Sequence, residues 1–297
     1  MWLSEVMLQQ TTVATVLPRF DQFLRRWPTI HALAEARDEE ILCEWAGLGY
    51  YARARNLIAC AREIARRGGF PTTSAGLRSL PGLGPYSSAA IAAIAFGEKA
   101  PAVDTNVERV VARLEGVHRA KRPLIERLVA GMMPQERPGD FVQAMMDLGA
   151  TICRPRNPRC VECPLKGDCK AFASGNPAGF PERRERATRP SKYGVAYWTE
   201  RGGSVWLVRR PAKGLLGGMS ALPGHEWTSL KPEPMNALGT VHHLFTHFSL
   251  ELTIIQRSEP DGQGWWQSLD RLDEAGLPTL YRKSAELVLS NNDRLAA

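Results

Sequence analysis

Leu80-Pro-Gly-Leu-Gly-Pro-Tyr-Ser-Ser88 is the stretch whose reading decides the fold. Its prolines and glycines end one helix and begin another. Thr73 or Ser74 suits the cap of the first, and Pro85 suits the first turn of the second. Gly82 and Gly84 permit a tight turn whose backbone N–H groups point outward. With the positive end of the following helix, those groups form a phosphate site. A plain helix–helix connection shares this local pattern, and a lone Gly-x-Gly is a weak motif. The flanking Leu80 and the small-residue helix from Ser88 to Ala95 make the pattern more specific.

Downstream, Cys153, Cys160, Cys163 and Cys169 follow the spacing C-x6-C-x2-C-x5-C among Pro155, Pro158, Pro164 and Gly167. Cysteines this close do not readily form two unstrained disulfides, whereas four thiolates can converge on one inorganic centre. Zinc sites usually use two C-x2-C knuckles, and here there is one knuckle with unequal outer arms. The spacing fits a [4Fe–4S] cluster better than zinc or plain free thiols, which stay as alternatives.

The chain has 297 residues, 44% of them hydrophobic, and a net charge of +7. That is enough for two domains with cores, and the positive charge favours a polyanionic partner without proving one. No apolar run reaches the roughly 18 residues of a membrane span. Apolar positions from Trp2 to Val16 are periodic and broken by Glu5, Gln9 and Gln10, which does not read as a signal peptide. Cys43 and Cys60 sit in helical patterns and are expected to be small buried hydrophobes. Free thiols beside a cluster imply a reducing cytoplasm.

Residues 1–175 read as almost entirely helical, with 3.6-residue spacing in Asp38 to Trp45, Ala52 to Arg66 and Leu124 to Met133. Pro177, Pro181 and Pro190 mark residues 176–192 as a linker. Residues 193–297 switch to strands. Val195 to Thr199 and Ser204 to Arg209 flank the hairpin signal Glu200-Arg-Gly-Gly203, Phe248 to Gln256 is a further strand, and Ser284 to Asn291 is a closing helix. The expected fold is a mainly α part followed by a smaller α+β domain.

Two carboxylates are candidates for chemistry. Asp104, in Pro101-Ala-Val-Asp-Thr-Asn-Val-Glu108, reads locally as a helix cap. Either it or Thr105 fills that position, with Thr105-x-x-Glu108 as a capping box. Glu5, in Trp2-Leu-Ser-Glu-Val-Met-Leu8, reads locally as a solvated first-turn glutamate. If Trp2, Val6 and Leu8 desolvate it, its pKa rises and it becomes a general acid. One protonated and one ionised carboxylate are the usual means of breaking a glycosidic bond.

Together these residues resemble the helix-hairpin-helix glycosylase superfamily, and specifically the MutY family of adenine DNA glycosylases. The blocks that carry the resemblance are Trp2 to Thr11, Gly47 to Asn56, the hairpin at about 73–97, Val103-Asp-Thr-Asn106, Gln143 to Gly149 and the cysteine loop 153–169. The resemblance implies monofunctional, hydrolytic removal of adenine mispaired with 8-oxoguanine or guanine in double-stranded DNA, by a monomer that flips the base. Glu5 would then protonate adenine at N7, Asp104 would stabilise the oxocarbenium ion or add to it, and Asn106 would orient the site. Gln10, Leu48 and Tyr50 match residues that probe or wedge the duplex. Gly82, Gly84, Tyr86 and Gln143 are expected at the DNA. One [4Fe–4S] cluster and a monovalent cation at the hairpin are the implied cofactors.

Endonuclease III is the nearest rival. Its lyase chemistry needs a lysine where this chain has Tyr86, and a phenol forms no Schiff base. The C-terminal part resembles the Nudix-like domain of the same family, without magnesium-binding glutamates after Gly217-Gly-Met-Ser-Ala-Leu-Pro223. Phe245-Thr-His247 matches the loop that touches 8-oxoguanine, usually Phe-Ser-His. The family also carries an upstream helix and a Pro-Trp-Arg segment that wall the adenine pocket, whereas this chain starts directly before the Trp2 block. A catalytically impaired lesion-binding protein is therefore the alternative from another class.

Overall fold

The computed structural model describes residues 1–182, 189–211, 214–232 and 236–296, with side chains described to 291. Of the expected linker 176–192, residues 183–188 lie outside the described residues. The chain forms two compact units. One comprises Met1–Phe20, Arg26–Ala34 and Ala59–Arg186, and the other Asp21–Arg25, Glu35–Ile58 and Ala187–Ala297.

The first unit is helical and is built around the helix Pro85–Phe96. Gly84 caps that helix in an extended conformation, Pro85 fills its first turn, and Gly97 ends it at φ 70. Ser87, Ser88 and Ala89 through Ala93 are all buried, so the middle of the helix has no wet face, while Pro85, Ala95 and Phe96 at its ends are exposed. Before it, Thr73 caps the short helix Ser74–Arg78, its hydroxyl accepting from the Gly76 N–H at 3.1 Å. Gly82 supplies the left-handed turn at φ 77. The helix Pro138–Thr151 packs on both Pro85–Phe96 and the helix Thr105–Leu114. Glycine makes this possible: a Cβ at Gly139 would lie 2.7 Å from the Ala93 carbonyl oxygen, and one at Gly149 would lie 2.6 Å from Asn106 Cβ.

The second unit holds the strands β1 Ser191–Trp198, β2 Glu200–Arg201, β3 Ser204–Arg209, β4 Ser220–Ala221, β5 Ala237–Leu244, β6 Ser249–Gln256 and β7 Gly264–Ser268. One sheet has the order β1-β6-β5. The other runs β2-β3-β4, with β7 also paired to β3. The sequence suggested a hairpin of Val195–Thr199 with Ser204–Arg209, but the chain folds otherwise. The glycine turn closes only the short β2–β3 hairpin, and β1 runs parallel to β6 in the other sheet. Fully buried Trp198 and Thr199 mark the crossover, where Thr199 still accepts the Trp206 N–H at 2.9 Å. The closing helix Thr279–Ala296 buries Leu280, Tyr281, Ala285 and Val288 in the core of this unit. Between residues 214 and 232 the described backbone carries β4 and no helix. Cys60 is buried as expected. Cys43 is only half-buried, and its thiol donates to the Asp273 carbonyl at 3.8 Å.

Candidate active site

The helix Trp2–Leu8 buries Trp2, Val6 and Met7, which leaves Glu5 half-buried on the same turn. Burial pushes the Glu5 carboxyl above its ordinary range. A hydrogen bond from Tyr86 and the nearby amino terminus act in the opposite sense, and Asp104 adds to the rise. Tyr86 stands on the first turn of the helix Pro85–Phe96. Burial first, then the charges of Glu5 and Asp104, raise its phenol far enough that it stays an O–H donor. Gln9 reinforces the junction, its Nε2 donating to Ser87 Oγ at 3.1 Å.

Asp104 caps the helix Thr105–Leu114, and its Oδ1 accepts the Val107 N–H at 2.7 Å. The local reading was therefore right about a cap. The expected capping box is absent, because Asp104 rather than Thr105 is the cap and Val107 rather than Glu108 stands three residues on. Asp104 Oδ2 accepts from Asn106 Nδ2 at 2.9 Å, so both oxygens face N–H donors. Asn106 Oδ1 in turn accepts from Arg109 Nη2 at 2.8 Å. Arg109, 9% exposed, also donates to the carbonyls of Gly149 at 2.6 Å, Cys153 at 2.7 Å and Thr105 at 3.2 Å. A single guanidinium thus joins the cap, the neighbouring helix and the first cysteine.

Cys153, Cys160, Cys163 and Cys169 line one small cavity with Ile152, Phe172 and Pro177. Burial, then the neighbouring thiols, push the Cys160 thiol up, while Arg113 acts in the opposite sense. Arg113 Nη1 donates to Cys153 Sγ at 3.3 Å and to the Arg154 carbonyl at 2.8 Å, and its Nε donates to the Phe180 carbonyl at 3.0 Å. Among the described residues, no three His, Cys, Asp or Glu side chains close on a point as a single metal ion requires. Arg159 is paired with Glu162.

Gln10 and Tyr50 both adopt left-handed backbone conformations, at φ 56 and φ 47. This is a strained state for residues other than glycine, and it recurs where side chains are aimed. Both are exposed. Leu48 is buried, so a wedge would first have to leave its place. Arg53 holds the turn around Leu48 and Tyr50, Nη2 donating to the Leu48 carbonyl at 2.7 Å, and its guanidinium, lowered to about 10 by burial, lies over the Tyr50 ring. Gln143 bonds back to the Gly139 carbonyl at 3.2 Å. In the second unit Thr246 Oγ1 donates to Tyr50 Oη at 3.0 Å, and Thr246 and His247 are exposed. A Cβ added at Gly84 would meet nothing within 4 Å, which leaves the hairpin backbone open to approach.

Sequence reasoning singled out Glu5, Asp104 and Tyr86 separately, and the structure brings them together. It missed Arg109 and Arg113, which look like ordinary helix arginines. The only signal was their i, i+4 placement on one helix face.

These features belong to the helix-hairpin-helix class of base-excision DNA repair proteins. The family described as "HhH-GPD superfamily base excision DNA repair protein" matches residues 3–135, and a NUDIX domain family matches residues 194–287. Among solved structures, a thermostable thymine-DNA glycosylase is 29% identical at a TM-score of 0.55, covering 58% of this chain and 83% of that one. A trapped endonuclease III–DNA covalent intermediate is 27% identical at 0.53, covering 59% and 84%. The chain belongs to the adenine DNA glycosylase family. It is 33% identical to the Mus musculus adenine DNA glycosylase over 95% of this chain and 70% of that protein. It is 30% identical to that of Buchnera aphidicola subsp. Schizaphis graminum over 96% and 90%. It spans 59% of the length of the Homo sapiens relative, at 34% identity.

Proposed function

We propose that the chain hydrolyses the N-glycosidic bond of adenine mispaired with 8-oxoguanine or guanine in double-stranded DNA. The carrying observation is the placement of Glu5, its pKa raised by burial, beside Tyr86 and Asp104. Glu5 delivers a proton to adenine N7 and makes the base a better leaving group. Asp104 stabilises the positive charge that develops on the sugar, or adds to it, and Asn106 fixes its orientation. Gln10, Leu48 and Tyr50 probe the duplex as the base is extruded, at a cost that is least at a mismatch. The hairpin with Gly82 and Gly84, aided by a monovalent cation, and Gln143 hold phosphates without reading sequence. Phe245, Thr246 and His247 meet the 8-oxoguanine. No described helix is long and apolar enough to cross a membrane. The working arrangement is residues 1–175 for base removal, a linker, and residues 193–297 for the opposite base, in a cytoplasmic monomer. The test is single-turnover release of adenine from a duplex carrying 8-oxoguanine opposite adenine. If no adenine is released, the reading fails.

The four cysteines fit a [4Fe–4S] cluster, since all their thiols line one cavity and Arg113 donates to Cys153 Sγ. When bound, the cluster supplies structural cross-linking of residues 153–169. Replacing Cys163 with Ser should lower iron content and the melting temperature together. Iron and sulfide analysis of anaerobically purified protein checks this, and stoichiometric zinc without iron refutes it.

Release is expected without strand cleavage, because Tyr86 offers no amine. In Tyr86→Lys the amine would stand beside Glu5 and Asp104, where an imine with the sugar can form. Borohydride should then trap an enzyme–DNA adduct that wild type does not give. Stoichiometric trapping by wild type would move the activity toward the lyase class.

A further inference from the structure

The turn between β5 and β6 is four residues long. Leu244 and Ser249 are the last paired residues, and the Phe245 N–H donates to the Phe248 carbonyl at 2.9 Å to close it. Its two ends fold inward. The rings of Phe245 and Phe248 lie 4.8 Å apart, and both pack on Trp227, at 5.4 Å in a stacked arrangement and at 6.1 Å. Thr246 and His247 are left exposed at the tip. Trp227 comes from the segment after β4 and has a built seat. A Cβ at Gly194 would lie 2.4 Å from Trp227 Cδ1, so only glycine admits the ring there. The next residue, Thr228, pairs with Tyr193 of β1 through two backbone bonds of 2.8 and 2.9 Å. The Arg210 guanidinium lies 5.1 Å over the indole and is itself held by Tyr281 Oη at 2.9 Å.

We infer that Trp227 is a positioning residue for discrimination between 8-oxoguanine and guanine, acting through the turn 245–248. This rests on the proposed role of that turn. The two bases differ by one oxygen and one N–H, so telling them apart needs hydrogen-bonding groups fixed to within about 0.5 Å. A four-residue turn does not hold its exposed tip that well by itself. The tryptophan transfers the rigidity of the sheet to it, through Gly194 on one side and Arg210 on the other. Stacking on Trp227 also keeps the Phe245 ring from swinging into solvent. The base-removing side chains belong to the other unit, so the rate of the chemistry is not expected to depend on this contact.

The experiment compares binding and single-turnover adenine release on 8-oxoguanine·adenine and guanine·adenine duplexes. Trp227→Leu should cut the preference for the 8-oxoguanine duplex by about tenfold, mostly in binding. Release from guanine·adenine at saturating enzyme should stay within about twofold of wild type. Trp227→Phe, which restores a stacking ring, should recover most of the preference. Gly194→Ala keeps the tryptophan but denies it its seat, and should lose preference as well. This second route holds if Trp227→Leu fails to fold. Undiminished preference in folded Trp227→Leu or Gly194→Ala, alongside a loss in Phe245→Ala, overturns the role of Trp227 and leaves the substrate reading intact. A wild type with no preference between the duplexes overturns both.

Discussion

Glu5→Gln should stop adenine release while leaving duplex binding almost unchanged. General acids contribute roughly a hundredfold to ten-thousandfold, so a fall of about a thousandfold is expected. Glutamine keeps the shape and a hydrogen bond to Tyr86 but has no proton to give. No phosphate contact is lost, which is why binding survives. The pH dependence has a definite sign. Burial raises the Glu5 pKa, so in wild type the acid form persists above the usual carboxyl range and the rate falls as pH rises through that raised value. The same shift acts on stability. Below the ordinary value both folded and unfolded chains hold the proton, and no penalty exists. As pH rises, the unfolded chain ionises first, and folding is increasingly opposed until the folded carboxyl also ionises. Glu5→Gln should therefore melt with wild type near pH 4 and above it at neutral pH. Adenine release at the wild-type rate, or equal melting temperatures at both pH values, would remove Glu5 from the acid's place.

Arg109→Leu should be the most damaging substitution outside the proposed catalytic groups. Leucine has a suitable size for the site, and a buried guanidinium carries a desolvation cost, so the exchange could look harmless. The partners decide otherwise. The carbonyls of Gly149, Cys153 and Thr105 and the amide oxygen of Asn106 all remain after Arg109 is gone. Each acceptor left unpaired in a buried place costs about 1–3 kcal/mol, so a loss of at least about 3 kcal/mol is expected. In a chain of this size that corresponds to a fall of roughly 6–12 °C in melting temperature. Iron content and adenine release should fall with it, because Asn106 and Cys153 lose their common anchor. Arg109→Lys reaches fewer of the four acceptors and should lie between. A melting temperature within about 2 °C of wild type would show that water or other donors replace the guanidinium.

What could be read from the sequence was what depends on near neighbours. Pro85, Gly97 and Thr73 act within one turn of helix, and each stands where its local chemistry requires. Asp104 shows the limit of such reasoning. Its cap bond to Val107 is local and was foreseeable, but its nearness to Glu5 spans almost a hundred residues of chain and comes from the packing around Pro85–Phe96. The strand β1 failed for the same reason. Nothing between Val195 and Thr199 says that its partner is β6, because a parallel pairing is made by a distant segment. The adjacent glycine turn offered a nearer, wrong one. Segments 21–25 and 35–58 show it again: they have helical spacing, yet they cluster with residues 187–297. Arg109 and Arg113 were invisible for a different reason. Their acceptors are mostly backbone carbonyls, which have no side-chain identity to recognise.

The run Ser87 to Ala93 of the helix Pro85–Phe96, buried on every side, has one more bearing on how the protein behaves in time. An amide on a surface helix exchanges its hydrogen through brief local openings, which need only a few bonds to part toward solvent. Ala89 to Ala93 have no solvent on any side to part toward, so their amides exchange only when the surrounding helices separate. Tyr86 and Ser87 sit one turn away on the same rod. The groups that hold Glu5 and Gln9 are therefore tied to a stretch of helix that opens only when its unit opens around it.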